Sequence, residues 1–247
     1  MAKSPRYARA RTPGPCKFCL LDKPLCESHL MPKGLYSFCR TADCDPLIIT
    51  KQMMRPTCRQ TQDYLLCADC EQLFNRSGEN WVLPQLATVD GSFPFYSLLQ
   101  KQAPVFAEPD LAAYAVTNNA DIKKNDLIHF ALGIFWKASV HSWKRERSTP
   151  WIDLGSQSEE LRKYLRGEGG FPQNMALILE VSPPPVGAVF FSHPVVRGKH
   201  RELFFFYVPG MFFSLWRGDL TQEQRITCLV SNQQGPVVVV DTTQRVT

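Results

Sequence analysis

Two Cys-x-x-Cys motifs constrain this chain more than any other feature of its sequence. The first spans Cys16 to Cys19, the second spans Cys67 to Cys70, and residues 20–66 separate them. Four thiolates at about 2.3 Å satisfy the tetrahedral preference of Zn²⁺ and leave no open coordination position. The spacing therefore predicts a closed structural zinc site that ties two remote segments together, with the ligands Cys16, Cys19, Cys67 and Cys70.

Disulfide bonds are the alternative use of these cysteines. The chain has 247 residues and nine cysteines, whereas disulfide frameworks are typical of short secreted chains with an even number of cysteines. Zinc in a reducing compartment is therefore the better interpretation. The other five cysteines, which form no second matched set, are Cys26, Cys39, Cys44, Cys58 and Cys228. Buried or loop thiols are their ordinary interpretation. Cys39 and Cys44 could form a weaker site.

The composition is that of a globular protein, with 44% apolar and 21% charged residues. No apolar run approaches the length of a transmembrane helix, and no apolar segment follows the basic N-terminus as it would in a secretory signal. We therefore expect a cytoplasmic protein without a membrane partner. Its length suits one large domain or two small ones.

The net charge of +5 is concentrated at the N-terminus. The first seventeen residues carry five basic side chains and no acidic one, namely Lys3, Arg6, Arg9, Arg11 and Lys17. Residues 1–15 are expected to form a disordered basic arm, and Arg6, Arg9 and Arg11 would suit a polyanion such as DNA or RNA. A solubilising tail is an equally good interpretation of the same residues.

The rest of the chain predicts an α+β fold. A short strand is expected before Pro32, residues 33–60 show no readable pattern, and a helix is expected after Cys70. On that helix Glu71, Asn75 and Glu79 recur at every fourth residue and share one face. Residues 80–120, interrupted by several prolines, predict short helices and loops.

Beyond residue 120, a helix that is apolar nearly all round is expected from Asn125 to Trp143, which is typical of a core helix. A second helix covers residues 158–165. A largely antiparallel sheet should follow, with the strands Met175–Val181, Val186–Phe191, Leu203–Val208, Met211–Leu215, Ile226–Val230 and Val237–Val240. The predicted domains are a zinc module at 16–90 and an α+β domain of unassigned role at 91–247.

The residues around the two motifs resemble a known family. Cys16-x-x-Cys19, the segment Ser28-His29-Leu30-Met31-Pro32, and Leu66-Cys67-x-x-Cys70-Glu71 are similar to the zinc-bearing branch of the HNH endonucleases. That family has a ββα-metal fold, in which two strands and a helix surround one divalent ion. The resemblance covers residues 16–80, so the expected N-terminal part is an HNH-like zinc module.

The resemblance implies metal-dependent hydrolysis of phosphodiester bonds in DNA. His29 matches the general base, and an imidazole suits that role near neutral pH. Glu71 stands where the family has its last histidine, and with Asn75 it would hold Mg²⁺ or Mn²⁺. Ser28 replaces a frequent metal ligand, and Gln62 or Asp63 occupies the stretch of the asparagine that orients the base.

Each of these residues also has a structural interpretation. His29 could be a packing residue or a hydrogen-bond donor, Glu71 could be a helix N-terminal carboxylate favoured by the dipole, and Asn75 and Glu79 could be solvated. His129 and His141 are expected to be core histidines with satisfied hydrogen bonds. Two functions therefore remain beside the nuclease: a catalytically inactive zinc-braced module that binds nucleic acid or acts as a scaffold, and a pure protein-protein module.

Overall fold

The computed structural model describes residues 12–38, 47–49, 54–56, 60–143, 151–185, 191–197 and 203–241. Its strands are β1 Thr12–Pro15, β2 Asp22–His29, β3 Leu47–Ile49, β4 Met54–Pro56, β5 Gln62–Cys67, β6 Phe106–Glu108, β7 Leu111–Ala115, β8 Met175–Val181, β9 Val195–Arg197, β10 Leu203–Val208, β11 Met211–Arg217 and β12 Pro236–Val240. The helices are α1 Leu35–Phe38, α2 Ala68–Phe74, α3 Asn80–Val82, α4 Pro94–Leu99, α5 Lys124–Val140, α6 Gln157–Leu165 and α7 Gln222–Ile226.

The N-terminal sheet has the strand order β1-β2-β5, and both pairs are antiparallel. Its register shifts between Cys26 and Glu27, so that Cys26 pairs with Leu66 and Glu27 with Tyr64. This shift leaves the carbonyl of Leu65 free to accept a hydrogen bond from Lys17 N at 3.1 Å. The sheet is thereby attached to the first Cys-x-x-Cys turn.

β5 leads without a loop into a long helical segment. α2 is followed by a π-helical turn at Asn75–Glu79, by α3, and by a 3₁₀ turn at Leu83–Gln85. The predicted helix after Cys70 is therefore present and continues past Gly78. Gly78 lies against the backbone of α5, where an added Cβ would come within 2.9 Å of Phe130 N.

The second sheet has the strand order β6-β7-β12-β8-β11-β10-β9 among the described strands. All of its pairs are antiparallel except β12 with β8. The parallel pair arises because the chain crosses β8 after β11, so that β12 lies on the other side of β8. The prediction of a mixed α+β fold with a largely antiparallel sheet is confirmed.

α5 lies between the two sheets. Phe130 and Phe135 pack on Phe206 of the seven-stranded sheet, while Trp136 contacts Phe18 and Phe74 of the N-terminal part. This double contact explains why the helix is apolar nearly all round. One continuous cluster of buried residues runs from Cys16 to Val239 and crosses the predicted domain boundary at residue 90.

Several predicted strands agree closely with the structure, including Met175–Val181 and Leu203–Val208. The predicted strand at Ile226–Val230 is wrong, because α7 covers Gln222–Ile226 and turns follow it. Strands β6 and β7 occur where only short helices and loops were expected. Most of the predicted strand Val186–Phe191 lies outside the described residues.

No helix in the described ranges has both the length and the apolar character required to cross a lipid bilayer.

Candidate metal centre and the polar cluster beside it

The four cysteines of the two Cys-x-x-Cys motifs come together as predicted. The sulfur atoms of Cys16, Cys19, Cys67 and Cys70 all lie within 4.8 Å of one another. The sulfurs of Cys19 and Cys67 are 3.9 Å apart, and a tetrahedral ion with bonds of about 2.3 Å would hold each sulfur pair at about 3.8 Å. The donor set and its spacing fit a closed structural zinc site.

The first motif is shaped by its own backbone. Cys16 N donates to Leu21 O at 2.9 Å, and Leu20 N donates to Cys16 O at 2.8 Å. Leu20 takes a left-handed conformation with φ of 64°, which turns the chain sharply after the second cysteine and costs a non-glycine residue free energy. The turn presents both sulfurs on one side, and its apolar tip, Leu20 and Leu21, is exposed.

The second motif lies at the start of α2. Cys67 is the N-cap residue, and its backbone N donates to the Cys16 sulfur at 3.3 Å. The positive end of the helix dipole favours thiolates at this position. Lys23 Nζ contacts Asp69 Oδ2 at 2.8 Å, so that an ion pair also joins β2 to this motif.

The sulfur cluster requires a cation to hold thiolates. Burial, a hydrogen bond with Cys67 and the charge of Cys16 all raise the pKa of the Cys70 thiol. A bound divalent ion reverses this effect, since a coordinating thiol is deprotonated outright. The four sulfurs are thus arranged so that a divalent ion could bind them and balance part of their charge.

A second group of polar side chains lies next to this centre, and we call it the polar cluster. It consists of Ser28, His29, Glu71, Glu79 and Lys137. Lys137 Nζ donates to the His29 carbonyl at 3.0 Å and lies 3.7 Å from Glu79 Oε1. Only 4% of the Lys137 side chain is exposed, against 17% of Glu79. The cluster therefore joins the end of β2, the helical segment and α5 around one buried ammonium group.

His29 is the last residue of β2 and is half-buried. Burial, followed by the charge of Lys137, lowers the pKa of its imidazole below 6.5. A hydrogen bond with the side chain of Gln60 acts in the opposite direction. The neutral form of the imidazole is consequently favoured, and Gln60 holds one side of the ring.

Glu71 on α2 is the second residue that the resemblance singled out. Burial is the largest cause that raises the pKa of its carboxyl, while Lys137 and a hydrogen bond with Ser28 lower it. Its Oε1 is buried and has no hydrogen-bond partner among the described residues. The Ser28 hydroxyl oxygen also accepts from Leu66 N at 3.1 Å, so Ser28 links β5 to the carboxylate.

Other predicted site residues lie outside the polar cluster. Asn75 is exposed. Asp63 Oδ2 lies 3.0 Å from His141 Nε2, just beyond α5, while Gln62 is the strand partner of His29. Arg6, Arg9 and Arg11 lie outside the described residues, as do Cys39, Cys44 and Cys58.

Sequence reasoning missed Gln60, Lys137 and the contact of Glu79 with Lys137. Lys137 is part of a segment that the apolar pattern identified only as a core helix, yet a lysine within an otherwise apolar helix was a usable signal. Within the described part of the chain, the four cysteines are the only group of three or more His, Cys, Asp or Glu residues close enough to share an ion.

No protein-family model, curated protein or solved structure matches this chain.

Proposed function

We propose that this protein is a zinc-braced, HNH-like endonuclease that hydrolyses phosphodiester bonds in DNA, with His29 as the general base. One observation carries the proposal. The antiparallel pair β2 and β5 leads directly into α2, four cysteines brace the pair, and β2 ends with Ser28, whose hydroxyl bonds the buried carboxyl of Glu71, and with His29, whose imidazole has a lowered pKa. This arrangement has the parts that the ββα-metal resemblance requires.

His29 would accept a proton from the water that attacks phosphorus. A base must be unprotonated before it can act, and the burial of His29 together with the charge of Lys137 lowers the pKa of its imidazole and so favours the neutral form. Gln60 would fix the orientation of the ring, which is the role expected of Gln62 or Asp63 from the sequence. Arg6, Arg9 and Arg11 of the N-terminal arm would contact the DNA backbone.

Glu71 would provide a ligand for Mg²⁺ or Mn²⁺, because its Oε1 is a buried carboxylate oxygen without a partner in the described chain. When bound, such an ion stabilises the charge that develops on the phosphoryl oxygens. Asn75, which is exposed, adds no second ligand in the present arrangement. The remaining positive charge next to the base comes from Lys137.

The second candidate function is a catalytically inactive module that binds nucleic acid. The position of Lys137 favours it, since the ammonium contacts Glu79 and the His29 carbonyl and lowers the pKa of Glu71. A buried cation that pairs with Glu79 and also favours the ionised form of Glu71 can act as a structural connection without a second metal ion. The cysteines would then serve to maintain a binding surface.

A plasmid-nicking assay distinguishes the two functions. With Mg²⁺ or Mn²⁺ the wild-type chain should nick DNA, and EDTA should stop the reaction while zinc remains bound. Because a general base contributes about 10²- to 10⁴-fold, His29→Ala should lose at least about 100-fold in rate and retain its zinc. Gln60→Ala, which removes only the orienting side chain, should lose less.

The other outcomes are equally informative. Equal nicking by wild type and His29→Ala would contradict the role of His29. DNA binding without nicking would identify the second candidate, and deletion of residues 1–15 should then reduce the salt dependence of binding. Absence of any affinity for nucleic acid would reject both functions in favour of a protein-protein module.

A further inference from the structure

Arg162 of α6 reaches into the first Cys-x-x-Cys turn from a remote part of the chain. Its Nη1 donates to the carbonyl of Phe18 at 2.8 Å, and only 8% of its side chain is exposed. The Phe18 carbonyl belongs to the peptide bond that leads into the metal ligand Cys19. Arg162 therefore fixes the peptide plane directly before a ligand.

The guanidinium group is itself held in place. Its Nε and Nη2 donate to the two carboxylate oxygens of Glu159 at 2.7 and 2.8 Å. This bidentate pair leaves Nη1 to donate to Phe18, while Glu168 Oε2 lies 3.7 Å from the same nitrogen. Such planar pairing gives geometric specificity that a lysine lacks. The side chain of Phe18 packs against Trp136, with 5.1 Å between the ring centroids.

The charge of Arg162 also acts on the sulfur cluster. Four thiolates around Zn²⁺ would carry a net charge of −2, and the guanidinium, which binds the carbonyl of the residue before Cys19, places a positive charge near them. Lys23 acts on Cys19 and Cys67 in the same way, but its side chain is 37% exposed and pairs with an Asp69 that is 77% exposed. Solvent screens that pair, so Arg162 is the better shielded of the two cations.

We propose that Arg162 is a positioning residue of the metal centre that controls how firmly the metal is retained. It acts in two ways: it orients the peptide before Cys19, and it offsets the excess negative charge of the thiolates. Metal retention by the N-terminal motifs is thereby linked to the docking of α6, although no ligand comes from that helix. Residues around metal ligands commonly change metal affinity by about 10- to 100-fold when mutated.

The test measures zinc release from the full-length, zinc-loaded protein into excess chelating dye. Arg162→Met should release zinc about 10- to 100-fold faster than wild type. Arg162→Lys keeps the charge but loses the bidentate geometry, and it should give an intermediate rate. Lys163→Met is the matched control, because this exposed neighbour on α6 loses the same charge and makes no hydrogen bond or ion pair with the turn among the described residues. Its rate should equal that of wild type.

A second readout separates metal positioning from a general loss of stability. In the cobalt-substituted protein, Arg162→Met removes the guanidinium charge near the sulfurs while cobalt stays bound. The loss of that charge raises the energy of the thiolate electrons, so the sulfur-to-cobalt charge-transfer bands should move to longer wavelength. The bands of Lys163→Met should not move.

Equal release rates for Arg162→Met and Lys163→Met, or unshifted cobalt bands in a folded Arg162→Met, would overturn the proposal. If Arg162→Met does not fold, Arg162→Lys decides by the same two measurements. The proposal does not depend on the endonuclease function, since neither measurement involves DNA.

Discussion

At the scale of single residues, the polar cluster depends on the ammonium group of Lys137. It is nearly inaccessible to solvent and contacts the His29 carbonyl and Glu79. Burying a lysine costs free energy unless its charge is paired, so its partners must remain ionised or polar. The charge that stabilises the cluster is thus the same charge that disfavours protonation of His29.

Replacement of Lys137 by methionine should raise the pKa of His29, because the imidazolium form no longer faces a neighbouring positive charge. NMR titration of the imidazole resonances measures this directly. For the proposed endonuclease, the higher His29 pKa also predicts a change in the pH dependence of nicking. A base with a higher pKa is protonated up to a higher pH, so the acidic limb of the pH profile moves to higher pH.

Lys33→Met provides the control for this prediction. Lys33 is exposed and also lowers the pKa of His29, but it contributes less than Lys137. Its removal should raise the His29 pKa by a smaller amount. An unchanged His29 pKa in Lys137→Met, with the fold intact by circular dichroism, would show that the two residues are not electrostatically coupled.

The candidate site could be predicted from the sequence only where its residues carry a local pattern. Cys16 and Cys19 are found by their spacing, and His29 and Glu71 by the segments around the motifs. Lys137 lies 108 residues from His29, and no local spacing relates the two. Gln60 was equally hidden, because it belongs to a stretch without periodicity and reaches the imidazole only after the chain folds.

At the scale of secondary-structure elements, the π turn at Asn75–Glu79 decides which carboxylates reach the polar cluster. Eight residues along a regular α-helix end about 80° beyond two full turns. A π turn accommodates one extra residue, so the eight residues from Glu71 to Glu79 turn about as far as seven residues of a regular α-helix. Glu79 then lies about 20° short of two full turns from Glu71. Glu79 can therefore share the face of Glu71 and contact Lys137, whereas Asn75 is exposed.

Gly78→Ala should destabilise the protein by about 1–3 kcal/mol through overpacking. The new Cβ would lie 2.9 Å from Phe130 N and 3.1 Å from the carbonyl oxygen of Asp126, and backbone atoms of α5 cannot move aside as a flexible side chain can. Urea unfolding measures the change. The clash should also displace the π turn from α5 and so separate Glu79 from Lys137.

Gly170→Ala is the matched control, since nothing lies within 4 Å of the new Cβ there. Removing a glycine at a site without strain should leave stability unchanged or raise it by up to about 1 kcal/mol. If the two variants unfold at the same urea concentration, the close approach of the π turn to α5 does not contribute to stability.

The same scale shows which elements sequence patterns can predict. Apart from Glu180, β8 and β10 consist of apolar or aromatic residues between turns, and both were predicted. The segment at Ile226 failed because Thr221 and Gln224 form a capping box that starts α7, a local signal stronger than the apolar run. β7 is rich in alanine, which is depleted in strands, so only its pairing with β12 and β6 identifies it.

At the scale of the whole molecule, the predicted division at residue 90 crosses a continuous core. Phe18 and Phe74 pack against Trp136 of α5, and Arg162 binds the Phe18 carbonyl. α5 covers both sheets, so neither side can open without exposing large aromatic surfaces. A core shared in this way is expected to unfold cooperatively.

Thermal unfolding of the zinc-loaded protein should therefore show one transition, with the same midpoint by far-UV circular dichroism and by tryptophan fluorescence. Trp136 and Trp143 are fully buried beyond the predicted boundary, yet removal of zinc from the N-terminal cysteines should lower the midpoint that they report. Structural zinc contributes several kcal/mol to folding, and each kcal/mol shifts the midpoint of a chain of this size by about 2–4 °C. A decrease of about 10 °C or more is expected, and re-addition of zinc should restore the original midpoint.

Two separate transitions, with the tryptophan signal unaffected by chelation, would instead show that the zinc module and the α+β part fold independently.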